Sequence, residues 1–192
     1  IYNNYNLDFG KMKGKNLRED LRKRDFTINT LALPLHYPQR LIDLYQAQKD
    51  LKRRRIRMVN SKIFDEDPLR MLRAYRLSSV FNLRIERDTE RLIREKRRLI
   101  KRVSPERVRQ ELLLLLSSTH SASFIDRMFK SGLLSEVIPE VELTKKNPDN
   151  YFHLRGLWGH SLASLEAGEE VIERIRHFFA RYSPKLKVHL WR

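Results

Sequence analysis

Three groups of residues carry side chains that can handle phosphates and a nucleobase. In Arg24-Asp25-Phe26-Thr27-Ile28-Asn29 a guanidinium, a carboxylate and an amide fall within six positions. Arg24 can clamp a phosphate, Asp25 can accept from a ribose hydroxyl, and Asn29 offers two amide hydrogens to a triphosphate oxygen. The plainer reading is a helix cap with a salt bridge. In Glu66-Asp67-Pro68-Leu69-Arg70 the acid and the arginine are three apart, on one face of a helix that Pro68 is expected to begin. Acceptors beside a fork of donors can read the edge of a base. Asp before Pro is equally a good N-cap, with Arg70 as its ion-pair partner. In Ser104-Pro105-Glu106-Arg107, followed by Arg109 and Glu111, Arg107 projects from the first turn of a helix. It can reach a phosphate or brace the second group, although a solvated helix face is the ordinary meaning of such residues.

The elements that must position these groups change character near residue 60. Tyr2, Tyr5, Leu7 and Phe9 read as weakly strand-like, and Gly10 and Gly14 punctuate a turn. Asn16 caps a helix over 17–22, with Glu19 and Asp20 in its first turn. A second short helix is expected at 27–33, stopped by Pro34. Leu41–Leu44 and Arg55–Val59 read as short strands around a helical stretch at 46–51. From 60 to 130 the pattern is helical: Leu69, Leu72, Tyr75 and Val80 recur at three-to-four spacing, continued by Leu92, Leu99 and Val103. Ser104 and Pro105 open a helix running into Leu112–Leu116, Gly132 closes one containing Phe124–Phe129, Asn147–Asn150 is a loop, and 159–179 is one more long helix. The fold class is therefore α+β and mostly α: a small α+β piece followed by an all-α region.

The chain has 192 residues, enough for one ordinary domain or two small ones. Its 40 Lys and Arg against 24 Asp and Glu give a formal charge of +16, which suits phosphate polymers or anionic lipid and disfavours an acidic macromolecular substrate. Between Arg84 and Arg109 eleven basic residues face five acidic ones, but charge alone does not say which partner they meet, because many solvated helical faces are Lys/Arg-rich. The absence of Cys excludes a disulfide scaffold, a thiol nucleophile and Cys-ligated metal centres, and fits a reducing compartment. No run of about 18 apolar residues is present, so no membrane span is expected. The first residues carry neither Met nor a signal-peptide pattern, and read as the interior of a longer chain. P-loop, dinucleotide-glycine, zincin and nucleophile-elbow motifs are all missing.

Taken in order, these segments resemble the class II tRNA nucleotidyltransferases and bacterial poly(A) polymerases. The resemblance is carried by Glu19 through Ala32, then Leu41-Ile42-Asp43, Asp50-Leu51 and Ile56-Arg57, then Phe64 through Arg76, then Ser104 through Arg107. Gly132-Leu133-Leu134 and Ile138-Pro139-Glu140 look like the start of that family's helical body. The resemblance implies a partial nucleotidyltransferase head at 1–60, a base-selecting helical neck at 61–116 and the start of a tRNA-binding body at 117–192. It implies a cytoplasmic enzyme adding nucleotides to the tRNA 3′ end without a template, with tRNA and CTP or ATP as partners. Arg24, Asp25 and Asn29 match the motif that contacts ribose and triphosphate. Asp67 and Arg70 match the pair that hydrogen-bonds the incoming base, Arg73 falls in the same nucleotide-binding run, and Arg107 matches the motif supporting this pocket. Asp43 and Asp50 match a motif coupling head and neck. Arg94, Arg97, Arg98, Lys101 and Arg102 are the expected RNA contacts, made to backbone phosphates by shape.

The departures from that pattern are specific. The family's Asp-x-Asp pair, which binds two metal ions, lies upstream of the arginine–aspartate motif. Asp8 resembles only half of it, so Mg2+ is expected to be held by residues outside this sequence. Ala47 stands where glycine is usual and Thr30 where Ala is common. The connection from Gly10 to Asn16 is short, as in relatives that stop after two cytidines, so CC addition is expected ahead of CCA or poly(A) addition. A non-catalytic RNA-binding module is the competing reading. His153 and His160 resemble the opening of a histidine–aspartate phosphohydrolase, but no His-Asp doublet occurs, so they are expected to be structural. Trp158, Phe178 and Phe179 are expected in the core rather than in a base-stacking platform.

Overall fold

A computed structural model describes residues 10–37, 39–146 and 156–182. The strand expected before Gly10 with Asp8, the loop at 147–150 and His153 lie outside the described residues. Helix α1 (Leu17–Arg22) begins as its cap predicts: the Asn16 side-chain oxygen accepts the Glu19 N–H at 3.0 Å. Buried Asp20 accepts the Lys13 N–H at 2.7 Å and the Arg24 guanidinium at 2.8 Å, folding the connection from Gly10 back onto the helix.

The helix expected at 27–33 is only a 3-10 turn, Thr27–Thr30. Thr27 gives its hydroxyl to Asp50 at 2.7 Å and Thr30 gives its own to the Thr27 carbonyl at 2.6 Å, side-chain bonds that compete with helix propagation. Pro34 biases Leu33 towards extended backbone. Ala32 then exchanges two backbone hydrogen bonds with Ile42, and this isolated bridge is all that forms of the strand expected at 41–44. Helix α2 (Ala47–Lys52) is capped by Asp43, which accepts the N–H groups of Ala47 at 2.7 Å and Gln48 at 3.1 Å. The left-handed backbone of this turn falls on Gln46 (φ 61°), so a fully buried Ala47 is accommodated where glycine is usual.

Strand β1 (Arg55–Ile56) pairs in parallel with β2 (Arg84–Ile85), a strand not expected in a stretch that reads as helical throughout. Two residues are too few to show alternation; the reversal at Asn82 (φ 48°) creates the strand by bringing Arg84 beside the Arg54 carbonyl. Helices α3 (Ile63–Glu66) and α4 (Arg70–Val80) are separated by the turn at 67–69, so the helix starts at Arg70 and not at Pro68. Helix α4 is the centre of the molecule. Its Met71, Leu72, Ala74 and Tyr75 join Phe26, Ile56, Ile63 and Phe64 in one core, together with Ile93, Leu115, Met128 and Leu133 from the following helices.

Those helices are α5 (Arg87–Lys96), continued by a 3-10 segment Arg97–Arg102, then α6 (Pro105–Leu116), α7 (Ser121–Lys130), α8 (Leu133–Val137), a 3-10 segment Pro139–Lys146, and α9 (Gly156–Tyr182). Pro105 occupies the first turn of α6 as expected, while the Ser104 hydroxyl makes no capping bond. Gly132 ends α7 in the left-handed conformation (φ 78°), donating to the Phe129 carbonyl at 2.8 Å. Helix α9 docks on α7 through Trp158, whose ring lies 4.1 Å from that of Phe129 and whose Nε1 donates to Asp126 at 3.1 Å. Glu169 of α9 accepts the Ser121 hydroxyl and, at 2.9 Å, the Ala122 N–H. Trp158 thus packs on the core as expected. Phe178 does not: it is 58 % exposed, and the Phe179 side chain lies outside the described residues. Among the described residues no helix is long and apolar enough to cross a membrane.

Asp50 is the hub of the α+β piece. Fully buried, it accepts from Thr27, from the Arg55 guanidinium and from Arg57 Nε at 2.9 Å, while Arg57 also donates to the Tyr45 carbonyl at 2.7 Å. Burial alone raises its pKa, but the bonds from Thr27 and Arg55 and the Arg57 charge bring it below the ordinary 3.8. Asp50→Ala leaves these donors unpaired and is expected to cost about 3 kcal/mol, seen as a lower urea midpoint. Because the folded value is depressed, the stabilisation is present above 3.8 and is lost as pH falls through the folded value. An acid series of urea midpoints should therefore fall less steeply in Asp50→Ala than in the unsubstituted chain.

Candidate functional site

Asp25 follows α1 at the floor of a cleft of about 590 Å³. It is 7 % exposed. One oxygen accepts the Phe26 N–H and the Asn29 amide, both at 2.8 Å, and the other accepts Arg73 Nε at 2.9 Å. Burial works against its charge, yet the Asn29 bond and the Arg73 guanidinium hold the carboxyl below 3.8. The sequence offers Asp25 to a ribose and both Asn29 hydrogens to phosphate. Instead, Asp25 has a single lone-pair direction left on the Arg73-bonded oxygen, and Asn29 keeps one amide hydrogen for a ligand. Arg24 lines the same cleft with its guanidinium on Asp20 and half of its side chain exposed.

Asp67 and Arg70 are not each other's partner. Asp67 accepts the Leu69 N–H at 3.3 Å and, on its other oxygen, Arg107 Nη2 at 3.0 Å. Arg70 donates to Glu66 at 3.2 Å, to the Ile63 carbonyl at 3.3 Å and to the Lys23 carbonyl at 2.8 Å. A carboxylate and a guanidinium on one turn are thus fixed by separate partners, and both line the cleft. Arg107, the expected brace, does brace: it comes from the first turn of α6, 40 residues away.

Arg73 links this rim to the floor. Beyond Asp25 it reaches Glu111 at 3.5 Å, and Arg76 Nε donates to the other Glu111 oxygen at 2.6 Å. Burial lowers the pKa of Arg73, but Asp25 first, then Glu111 and Asp67, raise it above the usual arginine value, so it stays charged. Glu111 is buried and was not given a role from sequence. It stands four residues after Arg107, the spacing of a surface pair on one helix, and only the packing of α6 on α4 shows that it faces inward. Six basic side chains line the cleft (Lys13, Lys23, Arg24, Arg70, Arg73 and Arg107) against Asp25 and Asp67, with Leu69, Leu77 and Phe81 as its apolar part. Cations for a phosphate chain, an apolar surface for a flat ring, and a fixed acceptor and donor for its edge are all present.

The other expected residues lie elsewhere. Asp43 and Asp50 make their side-chain bonds within residues 27–57. Arg97, Arg98 and Lys101 gather on Glu136 of α8 at 3.6, 3.9 and 2.9 Å, and Arg97 donates to the Arg94 carbonyl. Arg94, Arg98, Lys101 and Arg102 are exposed, and none of these basic residues lines the cleft. His160 is exposed on α9. The residues present do not fit a divalent ion: the cleft carboxylates are engaged by guanidinium groups, and among the described residues no group of three His, Cys, Asp or Glu can hold a metal.

Two family models match the chain. One, described as the poly A polymerase head domain, covers residues 3–57; the other, described as the probable RNA and SrmB-binding site of polymerase A, covers 82–144. Among curated relatives, the chain is 36 % identical to a CCA-adding enzyme of Lactobacillus helveticus (83 % of this chain, 42 % of the relative). It is 30 % identical to a CC-adding tRNA nucleotidyltransferase of Synechocystis (91 % and 40 %) and 36 % identical to an A-adding tRNA nucleotidyltransferase of Deinococcus radiodurans (78 % and 35 %). A solved CCA-adding enzyme in complex with CTP superposes with a TM-score of 0.60 at 36 % identity, over 64 % of this chain and 30 % of that one. The chain thus spans roughly two fifths of the length of these relatives.

Among the described residues Arg73 is the one cation shared by two buried carboxylates. Arg73→Ala is expected to lose about 3 kcal/mol by leaving buried Asp25 without a cation and Glu111 with Arg76 alone. A differential scanning experiment should show a melting temperature lower by roughly 6–12 °C. Arg107→Ala, which frees the more exposed Asp67, should shift it by less than a third of that.

Proposed function

Since the chain belongs to the family of tRNA nucleotidyltransferases and poly(A) polymerases, we propose that it is the nucleotide-selecting part of an enzyme that adds CMP to the tRNA 3′ end without a template. The observation that carries the reading is the separate fixation of Asp67 by Arg107 and of Arg70 by Glu66 and two carbonyls, side by side on a basic cleft. A carboxylate is acceptor-only and a guanidinium donor-only. Cytosine presents an N4 amino donor beside ring acceptors, and adenine an N6 amino donor beside one, so both complement the pair. Uracil and guanine put a carbonyl where the carboxylate sits and leave two acceptors facing each other. The pair therefore selects an amino-bearing base, and the Leu69, Leu77 and Phe81 side chains give the ring an apolar surface.

The remaining cations hold the phosphates. Arg24, Asn29 and Arg73 stand at the floor with Lys13 and Lys23 beside them, and phosphoryl transfer depends above all on such positioning and charge stabilisation. Residues 1–60 then act as part of the head, 61–116 as the neck, and 117–192 as the beginning of the body. Arg94, Arg97, Arg98, Lys101 and Arg102 contact tRNA phosphates. Magnesium is expected from outside these residues, and no step is assigned to it. The choice of CC over CCA addition rests on the short connection from Gly10 to Asn16, which is held against α1 by Lys13 and Lys15 N–H bonds to Asp20 and Glu19.

Calorimetric titration with the four nucleoside triphosphates tests base selection. CTP and ATP should bind at least about tenfold more tightly than UTP and GTP. Asp67→Ala or Arg70→Ala should erase the preference while leaving tRNA affinity intact; a preference that survives both substitutions excludes the protein-template reading. Extension of a tRNA lacking its 3′ CCA, with magnesium and CTP or ATP supplied separately, resolves the product. Two added residues with CTP alone mark CC addition, and an unbounded ATP product marks poly(A) synthesis. Salt-sensitive RNA binding with no nucleotide preference would mark an RNA-binding module.

A further inference from the structure

A second cleft, of about 740 Å³, opens where α4 ends. Phe81 lines the nucleotide cleft and the next residue, Asn82, lines this one, so the two share the last turn of that helix. Its basic residues are Lys52 at the end of α2, Arg53 and Arg54 just after it, Arg84 from β2, His120 just before α7 and Arg127 within α7. No carboxylate lines it. Among the described residues Lys52, Arg53 and Arg84 make no ion pair, and Arg127 makes long contacts to Glu90 at 3.4 and 3.5 Å and lies 5.7 Å over the Phe124 ring. In the nucleotide cleft, by contrast, every arginine is matched by an acid or a carbonyl.

Gathering unmatched like charges disfavours the folded state, and the backbone holds them there at further cost. Arg54 (φ 50°) and Asn82 (φ 48°) are two of only three described non-glycine residues with left-handed backbone, and they face each other: Arg54 donates to the Asn82 carbonyl at 3.3 Å. Such strained positions persist where the surrounding structure enforces them, and they concentrate at functional sites. The cleft has little to read a base with, since Phe124, its one aromatic ring besides His120, is 6 % exposed. What it offers is charge for a backbone. It is also built from both matched segments, with residues 52–54 from the head match and 82–84 and 120–127 from the RNA-binding match.

We propose that the cleft formed by Lys52, Arg53, Arg54, Arg84 and Arg127 is a second RNA contact, holding backbone phosphates of the substrate RNA next to the nucleotide cleft. This rests on the reading of the chain as part of an RNA 3′-end enzyme. It gives that enzyme a grip that does not depend on sequence, built jointly by the α2–β1 turn and α7, and separate from the basic residues of α5 and the 3-10 segment after it.

The test uses the full 192-residue chain, a tRNA transcript lacking its 3′ CCA, and the double variants Arg53→Glu/Arg84→Glu and Arg53→Gln/Arg84→Gln. Both positions are exposed and neither lines the nucleotide cleft. Fluorescence anisotropy across a salt series should show RNA affinity lowered about tenfold or more by the Glu pair. The slope of log affinity against log salt should flatten by roughly 1.5 to 2, the loss of two phosphate contacts. The Gln pair should flatten the slope equally with a smaller loss of affinity, and CTP binding should be unchanged in both. Unchanged RNA affinity and slope in the Gln pair, with CTP binding intact, would overturn the proposal. If CTP fails to bind the unsubstituted chain, the nucleotide reading falls, and the salt slopes still decide whether RNA uses this cleft.

Discussion

The arrangement depends on one guanidinium shared by two buried carboxylates. Arg73 bonds Asp25, which follows α1, and Glu111, on α6. Those three residues stand 48 and 38 positions apart in sequence, so a single ionic chain ties the α+β piece, α4 and α6 into one frame. Asp25 is buried ionised with Arg73 as its cation, at 2.9 Å, and Glu111 shares the more distant Arg73 with Arg76. The cleft rim formed by Asp67 and Arg70 stands on this frame: Arg107 reaches Asp67 from the same helix that carries Glu111, and Arg70 reaches the carbonyl of Lys23, two residues before Asp25.

Charge is handled differently in the two clefts. In the nucleotide cleft the arginines are oriented by acids and carbonyls, which costs attraction for a ligand but fixes the direction of every donor. Direction is what distinguishes an amino group from a carbonyl on a base. At the end of α4 Lys52, Arg53 and Arg84 have no acid partner among the described residues, and only Arg127 reaches one, Glu90. Arg97, Arg98 and Lys101 lie between these extremes, three cations around one Glu136 and therefore still positive as a group.

Local signals in the sequence gave reliable elements where the deciding interaction is itself local. Asn16 caps α1, Pro105 enters α6, and Gly132 closes α7, each through contacts within four residues. Expectation and structure part where a distant residue intervenes. Thr27 is drawn from a helix by Asp50, 23 residues on; β2 exists only because Asn82 turns the chain beside Arg54; and the apparent Asp67–Arg70 pair is divided between Arg107 and Glu66. The same holds for the site. Asp25, Asn29, Asp67, Arg70, Arg73 and Arg107 do converge, as their order in the chain suggests, but Glu111 does not stand out, because its spacing from Arg107 looks like an ordinary surface pair. The cleft at the end of α4 is assembled from three separate segments and has no sequence pattern at all.

Helix α7 has a consequence for the order in which the molecule assembles. His120 precedes its first turn without a capping side-chain bond, and the donors there are satisfied by Glu169 of α9. A cap supplied from 48 residues downstream closes a long loop, whose entropy is lost before the contact forms. On an emerging polypeptide the start of α7 is therefore expected to lack this cap until α9 has been synthesised and Trp158 can seat on Phe129. The wall that presents Arg127 thus receives its cap only after every residue lining the Asp25 cleft is already on the emerging chain.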